Sequence, residues 1–217
     1  MLSRHLPLLP PRHLPWPLKP LGSAETSLRY DQFGRMVMHI RHDLLKGVTP
    51  AMVAWWFRHI DGEMEIDGIR LNRYLVWHPF DHIRWELVRP SPDGSVSEGA
   101  QFRILEAFGR NPDFYIDVVD TVTKLNDSGI TLVSYKFGLA LTCLNHDFIA
   151  AEGGTRYVST LAIGTDLPAL RNLLNPFLHK FIFPEKMGRA WLRNNVEEVG
   201  LLEHMIPRLH PGPRASY

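Results

Sequence analysis

The stretch PEKMGRAWLRNNVEEVGLLEHMIPRL at residues 184–209 decides the fold. Large apolar side chains recur in it at spacings built from three and four residues, which is the period of one face of a helix. That face carries Met187, Trp191, Leu201 and Met205. A proline opens the stretch, and Pro211 and Pro213 follow it, so both ends carry helix boundary signals. The stretch therefore predicts one long C-terminal helix that packs its apolar face on the rest of the domain.

Before this helix, the sequence is typical of β-strands separated by turn residues. Pro-Ser-Pro-Asp-Gly at 90–94 and Glu-Gly-Gly at 152–154 are turn signals, and the segments around them are rich in β-branched and aromatic residues. The predicted strand regions span residues 83–88, 100–108, 114–122, 130–148 and 155–163. Such turns predict antiparallel hairpins.

The first part of the chain mixes a strand with short helices. Residues 35–41 alternate polar and apolar side chains, which predicts a first, half-buried strand. The Thr-Pro pair at 49–50 is typical of a helix start, and the apolar residues after it predict a short helix. Residues 63–77 are predicted to form a second short helix or a turn that brings Tyr74 and Trp77 inside.

A strand, short helices, an antiparallel meander and a long C-terminal helix make an α+β arrangement. We predict the helix-grip fold, in which a curved antiparallel sheet wraps around the long helix and leaves an internal cavity. Such a cavity suits a hydrophobic small molecule. The predicted domain spans residues 27–210, between a proline-rich arm at 1–26 and a tail at 211–217. The arm is expected to lie extended over the domain or to be a disordered leader.

Composition limits the chemistry and the partners. The 24 Lys and Arg residues nearly balance the 23 Asp and Glu residues, so there is no electrostatic reason to expect nucleic acid. A single cysteine excludes a disulfide framework and multi-thiolate metal sites, so a metal would need imidazole and carboxylate ligands. No apolar run approaches the length of a membrane span, about 18 residues. These features predict a cytoplasmic protein with a small-molecule partner and leave a homodimer open.

Two polar residues lie on the apolar face of the C-terminal helix. Asn194 and Glu198 continue the spacing of Trp191 and Leu201. A carboxylate that faces inward is costly unless it is paired, hydrogen-bonded or bound to a cation. A small rotation of the helix would instead make Glu197 and Glu198 ordinary solvated acids, and periodicity alone slightly favours that interpretation.

Two histidines flank a proline and an acid in YLVWHPFDH at residues 74–82. Because Pro79 interrupts a helix, His78 and His82 need not share a face, and one metal ligand is a better prediction than two. In the alternative interpretation, Asp81 caps the following segment and both histidines make structural hydrogen bonds.

A further acid lies on one face of a predicted strand. In FRILE at residues 102–106, the phenylalanine, the isoleucine and Glu106 alternate onto the same face, so Glu106 points inward if the apolar side chains do. Together, His82, Glu106 and Glu198 would offer one nitrogen and two oxygen donors from three elements. Such a set suits zinc with one position left open for water.

Four segments together resemble the diacetylphloroglucinol hydrolase family. They are the WHPFDH motif within residues 74–82, GAQFRILE at 99–106, EGGTRY at 152–157 and NVEEVG at 195–200. The similarity extends from about residue 35 to 209 and leaves out the proline-rich arm. The resemblance implies a helix-grip domain and a zinc-dependent hydrolysis of the carbon–carbon bond between an acyl group and a phenolic ring.

The resemblance also implies roles for single residues. The histidine that ends WHPFDH and the glutamate that ends the next strand are metal ligands in the family, which points to His82 and Glu106. The family's C-terminal helix supplies a histidine and a glutamate four residues apart. The glutamate matches Glu198, whereas the histidine position holds Asn194. An amide is a much poorer zinc donor than an imidazole, so metal affinity should be weaker or the site metal-free.

Further polar residues are candidates for contact with the substrate. Tyr74 matches a family tyrosine that hydrogen-bonds a substrate oxygen. His146 and Tyr157 are candidates for contacts to ring hydroxyls, and their alternative interpretation is a strand-end histidine and a core tyrosine. Without metal, Tyr74, His78 and Glu106 are candidate acid and base groups.

The sequence thus supports three functions. The first is metal-assisted hydrolysis of a carbon–carbon bond in an acylated phenolic or polyketide-like molecule. The second is a metal-free cyclase, isomerase or lyase acting on a polyketide-like natural product. The third is a non-catalytic binder of an aromatic metabolite, because a fold does not decide a function.

Overall fold

A large antiparallel sheet and one long helix form the two layers of the protein. A computed structural model describes residues 7–210. The strands are β1 Glu25–Tyr30, β2 Met36–Arg41, β3 Leu45–Lys46, β4 Glu63–Ile66, β5 Ile69–Asn72, β6 His82–Arg89, β7 Gln101–Ala107, β8 Tyr115–Asn126, β9 Gly129–Lys136, β10 Leu139–Ala151 and β11 Gly154–Ile163. The helices are α1 Pro50–Arg58, α2 Arg73–Trp77, α3 Arg171–Phe177 and α4 Glu185–Leu209.

The sheet is a meander that the N-terminal hairpin extends. Its strand order is β1-β2-β11-β10-β9-β8-β7-β6, with β3 also paired to β11, which makes nine strands in the described part of the chain. Neighbouring strands are antiparallel throughout this order. Because β11, the last strand of the meander, pairs with β2, the N-terminal hairpin is joined to the meander. The α4 helix then packs across it, so the predicted α+β helix-grip fold is confirmed.

The α4 helix is buried on the face that the apolar spacing predicts. Met187, Trp191, Leu201 and Met205 are each at most 5% exposed. The helix comes close to the sheet at Gly188, where an added Cβ would lie 2.9 Å from the Met38 sulfur. It also contacts β3, α1 and α2, so it is covered on more than one side.

This wide coverage decides the orientation of the two helix acids. Glu197 is 7% exposed and Glu198 is 6% exposed. The interpretation in which both are solvated acids is therefore wrong. Periodicity favoured it because adjacent helix positions point about 100° apart, and only a helix packed on several sides buries both.

The first strand and the segment 63–77 differ from the prediction. A strand, β1, precedes residues 35–41, and it escaped prediction because it is an edge strand whose side chains are mostly exposed. Residues 63–77 contain the predicted short helix α2, with Tyr74 and Trp77 buried, but a hairpin of β4 and β5 comes before it. The Asp67-Gly68 pair at its turn has positive φ at both residues, and such a pair is a strong hairpin signal.

The proline-rich segment lies against the domain over its described part, residues 7–20. The Arg12 guanidinium donates to the carbonyl oxygens of His78 and His82 at 2.9 and 3.0 Å. Trp16 stacks on the His204 ring of α4. The predicted arm at 1–26 also includes the start of β1, while residues 1–6 and the predicted tail at 211–217 lie outside the described residues.

Candidate functional site

A cavity separates the inner face of the sheet from α4. It encloses about 930 Å³ of atom-free space, counting its open mouth. Its walls are mainly aromatic and aliphatic. The aromatic part includes Phe57, Trp77, Trp85, Phe102, Phe108 and Trp191. An aromatic ligand could stack on such walls.

His82, Glu106 and Glu198 meet at one end of this cavity. His82 begins β6 and lies directly across from Glu106 on β7, and α4 brings Glu198 from above the sheet. His82 Nε2 is 3.2 Å from Glu106 Oε1 and 3.1 Å from Glu198 Oε2. Both carboxyl groups are part of the cavity wall, and the fully buried His82 lies behind them. The structure thus brings together the three predicted donors.

The His82 ring is oriented with a free nitrogen toward the two acids. Its Nδ1 lies 2.7 Å from the Tyr74 carbonyl oxygen, which can only accept, so Nδ1 carries the proton. The neutral ring then presents the lone pair of Nε2 to two carboxylate oxygens. Nε2 is buried and makes no hydrogen bond within residues 7–210. A lone pair facing two acidic oxygens calls for a proton or a cation between them.

Burial shifts the pKa values of His82, Glu106 and Glu198. Desolvation raises the pKa of Glu106 to about 7 and that of Glu198 to about 8. Desolvation lowers the pKa of His82 to about 4. Each group is therefore shifted toward its neutral form, because the site offers charges little water.

Within residues 7–210, no group of three or more His, Cys, Asp or Glu side chains is preassembled in the arrangement of a metal site. The contacts of His82 are pairwise and of hydrogen-bond length. The chemistry of the donors nevertheless fits a cation. An imidazole fixed through Nδ1 to a carbonyl, with its free nitrogen next to carboxylates, is the usual state of a metal-ligating histidine.

Tyr74 completes this end of the cavity. Its hydroxyl donates to Glu106, and its ring stacks on His82 with centroids 4.0 Å apart. Desolvation, followed by the charge of Glu106, raises the pKa of Tyr74 well above its usual value, so the phenol stays protonated. The phenol oxygen can still accept a hydrogen bond from a ligand.

Asn194, at the position of the expected fourth donor, is hydrogen-bonded to Asp81. Its Nδ2 donates to Asp81 Oδ2 at 3.3 Å, and the residue is part of the cavity wall. Asp81 also accepts from the backbone amides of Gly109 and Arg110, at 2.7 and 3.1 Å. This carboxylate therefore ties the turn after β7 to α4 beside the site.

His78 points away from the cavity. Its Nδ1 accepts from the Asp81 amide at 3.0 Å, so Nε2 carries the proton and donates to Glu197 at 3.1 Å. Glu197 in turn accepts from Arg193 at 2.7 Å. Its contacts are those of the alternative interpretation, a turn held by structural hydrogen bonds, and its ring lies behind the site with its centroid 5.5 Å from that of His82.

His146 lies on the cavity wall and is backed by a second buried histidine. His146 Nδ1 and His42 Nε2 are each 2.9 Å from the Ser159 hydroxyl. Because the hydroxyl has one proton, it accepts from at least one of the two rings. Burial lowers the pKa of both imidazoles to about 3, so both are neutral near pH 7. Tyr157 is fully buried against the His146 ring, with centroids 5.1 Å apart.

Sequence reasoning missed several of these polar residues. His42 lies just after β2 and Ser159 lies on β11, far apart in the chain, and only the pairing of these two strands brings them together. Asp120 lies on the cavity wall and was also missed. Strand alternation could have identified Asp120, because it lies opposite Phe102 of β7 and so faces inward on β8.

Comparisons with known proteins found solved structures of low sequence identity. No family model matches the sequence, and no curated protein matches it. The structure of Ara h 8.0201 is 11% identical, and the match covers 78% of this chain and 97% of that chain with a TM-score of 0.49. Protein Ms6760 from Mycobacterium smegmatis is 10% identical, covering 82% and 97%, with a TM-score of 0.49. CalU16 from Micromonospora echinospora is 14% identical, covering 82% and 96%, with a TM-score of 0.38.

The assignment of the helix-grip fold rests on the strand order and on α4 rather than on these values. Among the described helices, none is long and apolar enough to cross a membrane.

Proposed function

We propose that the protein hydrolyses a carbon–carbon bond of an acylated phenolic or polyketide-like molecule bound in the cavity, with a metal ion held by His82, Glu106 and Glu198. One observation carries this proposal: the buried Nε2 of His82 makes no hydrogen bond and faces two carboxyl groups of the cavity wall. The resemblance of the WHPFDH and NVEEVG segments to the diacetylphloroglucinol hydrolases supports the reaction type.

The donor set suits zinc. One imidazole and two carboxylates are typical ligands of three-residue catalytic zinc sites. A zinc ion there would supply Lewis acidity, which polarises a carbonyl group and makes water a better nucleophile near neutral pH. The Tyr74 carbonyl holds the His82 ring in the tautomer that a metal requires.

Other residues would orient the substrate. The Tyr74 oxygen can accept a hydrogen bond from a substrate hydroxyl next to the reacting bond. The ring carbon that leaves the acyl group must gain a proton. The attacking water supplies that proton while its hydroxide part joins the acyl carbon, and neutral His146 on the cavity wall can hydrogen-bond a ring hydroxyl. Water and the acylated phenol thus give a carboxylic acid and the free phenol.

The test is acetate release from monoacetylphloroglucinol by protein supplied with zinc. We expect release by the wild type and a loss of at least 100-fold in His82→Ala and Glu198→Gln, because each removes a donor. Glu203→Gln on the outer part of α4 is the matched control, since Glu203 pairs with Lys19 away from the cavity. Absence of release by the zinc-supplied wild type would contradict the proposal.

A second candidate is a metal-free acid–base enzyme, such as a cyclase, isomerase or lyase for a polyketide-like molecule. The observation that favours it is the hydrogen bond between Tyr74 and Glu106, a complete acid–base pair on the cavity wall. Non-catalytic binding of an aromatic metabolite would need only the aromatic walls.

Chelation separates these candidates from the hydrolase. Binding of monoacetylphloroglucinol, followed by tryptophan fluorescence, should be unchanged by EDTA if the pocket works without metal. A loss of binding in EDTA would exclude both metal-free candidates. If binding persists, Glu106→Gln should leave it intact in a carrier and abolish turnover in an acid–base enzyme.

A further inference from the structure

A second polar group lies in the cavity apart from the His82 cluster. Asp120 on β8, Ser134 on β9 and Thr142 on β10 are all part of the cavity wall. They form an oriented chain of hydrogen bonds. The Thr142 hydroxyl donates to the Ser134 oxygen at 2.8 Å, and the Ser134 hydroxyl donates to Asp120 Oδ1. Both hydroxyl protons are thus used, and the chain ends on a carboxylate.

The second oxygen of Asp120 has no partner. Oδ2 makes no hydrogen bond and no ion pair within residues 7–210, although the residue is only 6% exposed. A buried carboxylate without a cation or a second donor is costly. This cost would be relieved by a ligand that brings a hydrogen-bond donor to Oδ2. Desolvation raises the pKa of Asp120 to about 6, so the group is mainly an acceptor at pH 7.5.

The spacing along the sheet shows how far this group lies from the reacting end. Asp120 pairs with Phe102, whereas Glu106 pairs with Ile116. Four residues of strand separate the two levels, about 13 Å along a strand. The wall between them carries the apolar side chains of Ile104 and Val118. The cavity wall therefore has two separate polar groups with apolar side chains between them.

We propose that Asp120, held by Ser134 and Thr142, is a second binding anchor that accepts a hydrogen bond from a hydroxyl group at the far end of an elongated aromatic ligand. This inference deepens the proposed function and rests on it only in taking the cavity as the ligand site. It makes Asp120 a specificity-determining residue. The ligand class becomes molecules of more than one ring with a phenolic hydroxyl opposite the acyl group.

The test compares two probes that differ in one donor. These are 4-acetyl-4′-hydroxybiphenyl and 4-acetyl-4′-methoxybiphenyl, and binding is measured by quenching of the tryptophans in the cavity wall. EDTA is present, so the result does not depend on metal or on turnover. We expect the wild type to bind the hydroxyl probe at least 10-fold more tightly, because a hydrogen bond to a charged acceptor is stronger than one to a neutral group.

Two variants then assign the preference to Asp120. In Asp120→Ala the ratio of the affinities for the hydroxyl and methoxy probes should fall to about 1, because no acceptor is left. In Asp120→Asn it should reverse, since Ser134 occupies the amide oxygen and the new NH₂ group faces the ether oxygen of the methoxy probe. Asp117→Ala is the control, because Asp117 lies on the same strand and its exposed side chain pairs with Arg103. The control should keep the wild-type preference.

The proposal is overturned if the wild type binds both probes equally or binds neither. It is also overturned if Asp120→Ala keeps the preference, which would place the hydroxyl at the other end of the cavity. Failure of the hydrolase reaction alone would leave these binding ratios unchanged. The two proposals therefore fail separately.

Discussion

The buried residues around the cavity show which side-chain positions can be inferred from sequence. The inward direction of Glu106 follows from strand alternation, and that of Glu198 follows from helix spacing. The tautomer of His82 does not follow from sequence, because it depends on the Tyr74 carbonyl oxygen. The Asp120 anchor escaped because an acid in a strand usually faces solvent, and only the cavity explains its burial.

Asn194 is the residue at which metal affinity can be tested. Because it takes the place of an imidazole, we expect the purified protein to hold less than one tightly bound zinc per chain. Asn194→His should increase zinc affinity at least 10-fold, measured by competition with a chromophoric chelator. Arg189→His adds an imidazole on the exposed side of α4 and should change nothing. Equal affinity in Asn194→His and wild type would mean that this helix position does not face the cluster.

Asp120 predicts a pH dependence of stability. Its pKa is about 6 in the folded state against an ordinary pKa of 3.8, so the folded protein binds a proton more tightly than the unfolded chain. The contribution of Asp120 to the free energy of unfolding is therefore complete below pH 3.8 and is lost as the pH rises through 6. Asp120→Asn removes this loss, so the variant should gain up to about 3 kcal/mol relative to wild type between pH 4 and 7.5.

Chemical denaturation of both proteins across that pH range measures the difference. Asp117→Asn is a control of opposite sign, because hydrogen bonding to Arg103 lowers the pKa of Asp117. The stability that Asp117 adds is present above its unfolded pKa and is lost on acidification. A pH-independent difference between wild type and Asp120→Asn would contradict the raised pKa.

At the scale of elements, strong periodicity and caps were reliable guides. The predictions of α4 and of most strands of the meander are confirmed, because each buries one regular face. The region predicted at 130–148 is instead two strands, β9 and β10, joined by a Phe137-Gly138 turn with positive φ at both residues. The α1 helix begins after Thr49, whose side chain accepts from the Met52 amide. The edge strand β1 has no such pattern, and the β4–β5 hairpin is short, so its turn residues were its main signal.

The turn after β7 is held by one side chain, that of Asp81. Gly109 and Arg110 both have positive φ, at 64° and 56°, and direct their amides at Asp81. Asp81→Ala would leave two amides unpaired and release Asn194 of α4. We expect a loss of about 2 kcal/mol or more, because a hydrogen bond to a charged group is worth about 1.5–3 kcal/mol. Thermal unfolding measures this loss.

The matched control for this prediction is Asp113→Ala, because Asp113 is an exposed acid in the same connection between β7 and β8. It should unfold within about 0.5 kcal/mol of the wild type. Asp81→Asn keeps one acceptor oxygen and should lie between wild type and Asp81→Ala. Equal stability of all three variants would show that Asp81 does not hold the turn.

At the scale of the whole molecule, the cavity that could bind a ligand lowers the stability of the fold. A fully packed interior would be more stable than one that keeps open space and buries His82, Glu106 and Glu198 in contact. The fold class was predictable because it follows from the order of elements. The cavity's polar residues were only partly predictable, since their distances depend on how the sheet curves around α4.

Zinc binding should therefore stabilise the whole protein, and this can be measured without a substrate. A ligand that binds only the folded state adds about 2.7 kcal/mol at 100 times its dissociation constant, which is about 5–10 °C for a chain of this size. We expect this rise in the melting temperature on adding zinc to chelator-treated wild type. It should be absent in Glu198→Gln, which loses an anionic donor, and larger in Asn194→His at the same zinc concentration. Glu203→Gln should behave like the wild type because its carboxylate pairs with Lys19 outside the cavity. An equal rise in Glu198→Gln would show that zinc binds elsewhere and would exclude the His82 cluster as the metal site.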